Sequence, residues 1–324
     1  MQRRTFSQGL LGMAATASGV SWAQDNWPNR PIKVILPFSA GGTGDAVARA
    51  LGNDMEKRLG QPMVIENRVG GTGLLGQDMA MRSPPDGYTM VAISISGALS
   101  YHSQNRSIDF TKDFAMVGQV YSQYAAVVVN PTTPQTANIR NMRDLVAYAK
   151  ANPGKINYAS QGSGSIGHLT MERIKQIAGI DVVHVPYRGA APAYNDLLAG
   201  HIQMMSTSLG AMPYISAGKM RALGMAGTTR SSLLPDCPTF IEQGIDLVAG
   251  SWYGFAMPAG TPPAIVQRLA RELQVSVAKP EIADSLRKQG VDPEFLPGPE
   301  YAARANGDFR RWGEVIRERG IKTD

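Results

Sequence analysis

The chain has 324 residues, 43% hydrophobic and 18% charged, with a formal net charge of +6 at pH 7. That length exceeds one hydrophobic core, so two globular domains are expected, and the composition excludes a disordered or fibrous chain. The basic residues are scattered, in runs of no more than two and without interleaved aromatics, which argues against a nucleic-acid partner.

The first 23 residues read as an export leader. Arg3-Arg4-Thr5-Phe6 resembles a twin-arginine signal, Leu10 to Val20 is mildly apolar, and Ser21-Trp22-Ala23 fits a small-x-small cleavage site. The apolar run is too short to span a membrane, so the mature chain is expected to be periplasmic, cleaved after Ala23. The single Cys237 excludes an intramolecular disulfide and reads as a small structural residue.

Ile32 to Leu36 reads as a strand, and the loop Pro37-Phe38-Ser39-Ala40-Gly41-Gly42-Thr43-Gly44-Asp45 follows it. Ala46 to Leu59 then carries Val47, Leu51, Met55 and Leu59 on one helical stripe. Met63 to Glu66 is a second strand, Leu74 to Arg82 a second helix after Gly70-Gly71-Thr72-Gly73, and Tyr88 to Ile93 a third strand. This order is one half of a doubly wound α/β unit. A second unit starts with the strand Ala125 to Val129 and the helix Met142 to Ala151. Strand 155–159 then leads into the loop Ser160-Gln161-Gly162-Ser163-Gly164-Ser165-Ile166-Gly167-His168, followed by a helix from Leu169 to Ala178. Further strands are expected at Asp181 to Val185, Gln203 to Thr207 and Met220 to Ala226, with a helix at Ala191 to Ala199. Beyond an apolar segment from Trp252 to Met257, the tail reads as helices at Ala264 to Ala278, Glu281 to Gln289 and Glu300 to Arg319. It has too few strands to stand alone and is expected to return onto the first unit.

The expected organisation is therefore two Rossmann-like α/β domains, 24–125 plus 250–324 and 126–249, joined by a hinge with a cleft between them. Both glycine loops follow a strand and open a helix, a place where backbone amides and the helix dipole favour an anion. Neither contains Lys or Arg. They read as two neutral jaws for a small anion.

These landmarks resemble the Bug family, the solute receptors of tripartite tricarboxylate transporters. The likeness runs from about Trp27 to Ile321. It rests on Pro31-Ile32-Lys33, Pro37-Phe38 with Gly41-Gly42-x-x-Asp45, Glu66-Asn67-Arg68, Pro85-Asp86-Gly87-Tyr88-Thr89 and Ala149-Lys150-Ala151-Asn152-Pro153-Gly154-Lys155. Tyr158-Ala159-Ser160, His184-Val185-Pro186-Tyr187-Arg188-Gly189, Ala217 to Leu223, Trp252-Tyr253-Gly254 and Ala259-Gly260-Thr261-Pro262 complete it. The resemblance implies a two-lobed, type-II-like periplasmic binding protein. It would hold a small carboxylate between the lobes, through backbone and short polar groups of both loops and ordered waters, and deliver it to a membrane permease. It implies no cofactor, no catalysis and a monomer. The chain departs from the family's common pattern at Val69-Gly70-Gly71 and at His201-Ile202-Gln203; the second change would lie near a cleft strand.

Candidate contacts are Ser39, Gly41, Gly42 and Thr43 in the first loop, and Ser160, Gly162, Ser163, Gly164 and Ser165 in the second. Phe38 is a core ring or a cleft wall. Asp45 is a helix N-cap or takes a ligand amino or hydroxyl group. His168 packs in a first helical turn or lines the cleft, and Tyr187 and Arg188 face the cleft or form a solvated turn. Two enzyme readings compete. Gly162-x-Gly164-x-x-Gly167 satisfies a dinucleotide fingerprint, although the next strand ends in Tyr187-Arg188 and not in an acid. A hydrolase could use Ser163 or Ser165 with His168 and Asp45, but neither serine has a glycine two residues before it. No His, Cys, Asp or Glu spacing suggests a metal.

Overall fold

The computed structural model describes residues 27–70 and 73–321. The expected leader lies outside the described residues, as do Gly71 and Thr72.

The first lobe starts with β1 (Ile32–Leu36), α1 (Thr43–Leu59), β2 (Met63–Asn67), α2 (Leu74–Met81) and β3 (Thr89–Ser94). β1 pairs in parallel with both β2 and β3, as two strand–helix–strand crossover units require. β3 is buried at all six positions, since helices cover both faces of the sheet. α3 (Ile95–Ser103) follows at once, its amino end capped by Ser94, and β4 (Phe114–Tyr124) comes next. The sequence reading passed over both. No turn residue separates β3 from α3, so strand and helix merge into one apolar run.

Ala125 separates β4 from β5 (Ala126–Val129), which belongs to a different sheet. That second lobe continues with α4 (Met142–Ala151), β6 (Asn157–Ser160), α5 (Ile166–Ala178), β7 (Val183–Pro186), α6 (Ala190–Ala199), β8 (Met204–Thr207), α7 (Met212–Ser216) and β9 (Arg221–Met225). Its strand order is β7-β6-β8-β5-β9, parallel across the first three and antiparallel at β5.

The tail does more than cover the first lobe. β10 (Gly250–Pro258) enters the first sheet between β3 and β4, antiparallel to both, and β11 (Asp292–Pro297) extends its edge beside β4. The first sheet is thus β11-β4-β10-β3-β1-β2, mixed and not mostly parallel. α8 (Pro263–Ala278), α9 (Pro280–Lys288) and α10 (Gly298–Glu318) supply the expected helices. Trp252 on β10 has no solvent exposure; its Nε1 donates to Asp308 Oδ2 at 2.8 Å and its ring meets Tyr301 edge-on at 5.3 Å. Truncating such a residue typically costs about 3–5 kcal/mol. It is a core residue.

The lobes meet where three alanines bond through their backbones. Ala125 N donates to Ala249 O (3.0 Å), Ala226 N to Ala125 O (2.8 Å) and Ala249 N to Ala226 O (2.9 Å). The strand ends that open onto this junction are the carboxyl ends of β1 and β3 in one lobe and of β6 and β8 in the other, the edges at which open α/β sheets bind ligands.

Candidate functional site

A cavity of about 230 Å³ lies between these edges. The first lobe lines it with Ser96 at the start of α3, Gln123 on β4 and Ser251 on β10. The second lobe contributes Gln161, Ser165, Gly167, Thr207 and Ser208. Every polar side chain in this lining is a hydroxyl or an amide. The helices α3 and α5 bring their amino ends to opposite walls, so the field there favours a negative group without a cation.

α5 is seated on β8 by a glycine. A Cβ on Gly167 would stand 2.5 Å from Ser206 O and 2.8 Å from Gln161 Oε1, so only a hydrogen fits. Ser165 caps the helix by accepting from His168 N at 3.3 Å. Gln161 Nε2 donates to Thr207 Oγ1 at 3.2 Å, and Tyr194 OH bonds to the same oxygen at 2.7 Å.

The remainder of the second loop is tied to itself. Gly164 N donates to His168 Nδ1 at 3.1 Å, and Gly162 N to Ser160 Oγ at 3.3 Å. Ser160 Oγ also lies 2.7 Å from His184 Nε2 and donates to Gly162 O at 3.0 Å. The rings of His168 and His184 stack at 3.8 Å. Burial lowers both pKa values, that of His184 to about 4 with His168 adding to the effect, so the stack is neutral at pH 7. Ser163 faces a separate pocket with His168, Glu172 and Arg319. Burial opposes the charge on Glu172, but hydrogen bonds from Lys175, Arg319 and Tyr158 outweigh it and hold its pKa low.

The first loop has other neighbours. Asp45 is buried and accepts from Arg49 Nε (2.9 Å) and Nη2 (3.0 Å), Asn67 Nδ2 (2.9 Å) and Gly41 N (3.0 Å). The Arg49 hydrogen bond is the main cause of its pKa falling to about 2. It sits in the third position of α1; Gly42 is the N-cap residue, so Asp45 folds back onto the loop instead of capping the helix. Asn67 also donates to Phe38 O at 3.0 Å, which fixes the loop. The Phe38 ring packs on Tyr253 at 5.7 Å, and Tyr253 OH donates to Gly44 O at 3.2 Å. Ser39, Gly41 and Gly42 are exposed and Thr43 is half-buried.

Of the candidate residues, Ser165 lines the cavity between the lobes. Ser163 and His168 line the separate pocket beside Glu172 and Arg319. Tyr187 OH donates to Asp196 Oδ2 at 2.5 Å, and burial with that acceptor pushes its pKa up to about 12. Arg188 is exposed. The sequence reading missed Ser96, Gln123, Thr207, Ser208 and Ser251. Thr207 and Ser208 end a strand that had been assigned, so the rule that ligands meet strand carboxyl ends could have found them. Gln203, where the chain departs from the family pattern, accepts from Asn157 N at 3.0 Å at the far end of β8, roughly 13 Å along the strand from Thr207. Buried Cys237 is a core residue whose thiol burial pushes up to about 12. Among the described residues no His, Cys, Asp and Glu group has the arrangement of a metal site, and no helix is long and apolar enough to cross a membrane.

Comparison with known proteins gives a consistent picture. The family model for the tripartite tricarboxylate transporter family receptor matches residues 47–321. Protein BugT of Bordetella pertussis is 32% identical over 320 residues, 97% of each chain. A TctC solute-binding protein from Polaromonas superposes with a TM-score of 0.83 at 28% identity, over 90% of this chain and 100% of that one. An R. palustris protein with adipate is similar at a TM-score of 0.70 and 29% identity, covering 91% of this chain and 99% of that one. MatC from Rhodopseudomonas palustris, with bound malate, gives 0.65 and 26%, covering 90% and 100%.

Proposed function

The chain belongs to the tripartite tricarboxylate transporter receptor family, the Bug proteins, and from that premise we propose that it captures a small carboxylate in the cavity between its lobes. The observation that carries this reading is the neutral lining of that cavity, with two helix amino ends on opposite walls. Hydrogen bonds to a charged group contribute about 1.5–3 kcal/mol each, so several of them on both walls can hold a carboxylate without an ion pair. The likeness to the adipate-bound and malate-bound proteins favours a dicarboxylate.

The lobes are 24–125 with 250–324, and 126–249, moving about Ala125, Ala226 and Ala249. Ligand that touches both walls favours the closed form, because only differential contact shifts that equilibrium. The protein acts in the periplasm, exported through its leader and cleaved after Ala23, and hands its ligand as a monomer to the permease subunits of a tripartite transporter. It carries out no bond chemistry. The dinucleotide and hydrolase readings lose support because Gly164 N and the His168 ring are bonded to each other, and because Asp45 is held by Arg49 and Asn67.

Thermal shift of residues 24–324 against mono-, di- and tricarboxylates, amino acids and nicotinamide nucleotides tests this. A carboxylate at a hundred times its Kd should add about 2.7 kcal/mol of stability. Stabilisation by a nucleotide with none by any carboxylate would reverse the assignment.

A further inference from the structure

Gln77 on α2 has no solvent exposure, and among the described residues neither Nε2 nor Oε1 of its amide has a hydrogen-bond partner. A buried polar group left unpaired destabilises the fold, a cost that an apolar side chain of the same length avoids. Its buried neighbours on α2, Leu74 and Ala80, are apolar, so the helix has no packing need for an amide.

The placement of that amide is specific. A Cβ on Gly97 would stand 2.2 Å from Gln77 Nε2, so the amide presses on the first turn of α3. The residue before Gly97 is Ser96, a wall of the cavity between the lobes. Gly97 N is held only at 3.4 Å, by Ser94 Oγ. The second lobe repeats the arrangement. Ser206 is buried with its Oγ unpaired, its carbonyl lies against Gly167 in the first turn of α5, and the next residue, Thr207, lines the cavity. Behind each wall a residue with an unpaired polar side chain thus packs against the first turn of a helix, Gln77 through its amide and Ser206 through its carbonyl.

We propose that Gln77 is a positioning residue for the ligand site: its free amide turns its oxygen, Oε1, to accept a hydrogen bond from a first-turn N–H of α3 when a carboxylate loads onto Ser96, and so sets the affinity and selectivity of the first-lobe wall. This rests on the cavity being the carboxylate site.

The test uses adipate and malate as probes. Gln77→Leu and Gln77→Met should each raise the Tm of the free protein while weakening the better probe at least tenfold by calorimetry. A Kd within twofold of wild type in both variants overturns the proposal, whatever the Tm does. In the wild-type protein, the Gln77 side-chain amide signals should move on saturation with the probe, and signals that stay in place at saturation also overturn it, with no variant needing to fold. A wild-type protein that binds no carboxylate in the thermal-shift panel removes the functional reading itself. A wild type that binds, with Gln77 unaffected, removes this inference alone.

Discussion

The loop from Phe38 to Asp45 and the loop from Ser160 to His168 both leave a parallel strand and open a helix, and both are rich in glycine and serine. Their surroundings differ. Under the first, the Phe38 and Tyr253 rings fill the space below Gly44, and a Cβ there would meet both at 3.3 Å. Asp45 draws the loop down onto Arg49 and Asn67, and its tip is exposed. Under the second, Gly167 sets α5 directly on the Ser206 carbonyl of β8, with the Gln161 amide beside it, so that Ser165 reaches the cavity. In the first lobe the corresponding position is taken by α3, whose start follows β3 without a loop. A glycine-rich turn specifies backbone shape; what lies beneath it decides whether its amides can reach a ligand.

The strongest way to break this comparison is a matched pair of glycine variants. Gly167→Val should drive α5 off β8, lowering carboxylate affinity at least a hundredfold by calorimetry. Gly41→Ala, where φ is +80° and no atom lies within 4 Å of the new Cβ, should cost about 1–2 kcal/mol of backbone strain and leave affinity within threefold. A tenfold loss in the Gly41 variant would put the first loop in the site.

Asp45→Ala should destabilise the first lobe by about 2–3 kcal/mol in urea unfolding, since it strands Asn67 and the Gly41 amide, with Arg49 partly rehydrated. Ligand affinity should not change. An affinity loss larger than the stability loss would return Asp45 to the ligand.

The two loops should also separate along the pH axis. His184 titrates near 4 when folded and near 6.5 when unfolded, so the unfolded chain binds more protons between those values. Stability should therefore fall as pH drops from 6.5 to 4, by about 3 kcal/mol, and His184→Gln should flatten that slope. Asp45 shifts in the same direction but lower on the pH axis, from 3.8 to about 2, so its contribution is intact above pH 3.8 and is lost only below it. An unchanged slope in the His184 variant would contradict the neutral stack. Ser165→Ala should have the smallest effect, about 1 kcal/mol of helix capping, with a loss of affinity that Gly41→Ala does not share.

Most of the fold was legible because period and turn chemistry agree along the chain, as in the α1 stripe of Val47, Leu51, Met55 and Leu59. α3 was hidden because its cap, Ser94, is also the last residue of a buried strand. β10 was read as an apolar segment, and its insertion between β3 and β4 is a long-range pairing that local pattern cannot announce. The site was partly legible for the same reason. The Ser165 loop carries its own signature, whereas Ser96, Gln123 and Ser251 reach the cavity only through the sheet order that brings β3, β10 and β4 together.

A crystal structure of the mature protein with adipate tests the account most directly. The account predicts the diacid between the lobes, within hydrogen-bond distance of Ser96 or Ser251 on one side and of Ser165, Thr207 or Ser208 on the other, with no Lys, Arg or metal in contact. Adipate held by the Ser39–Thr43 loop alone, or paired with Arg188 outside the cavity, would contradict it.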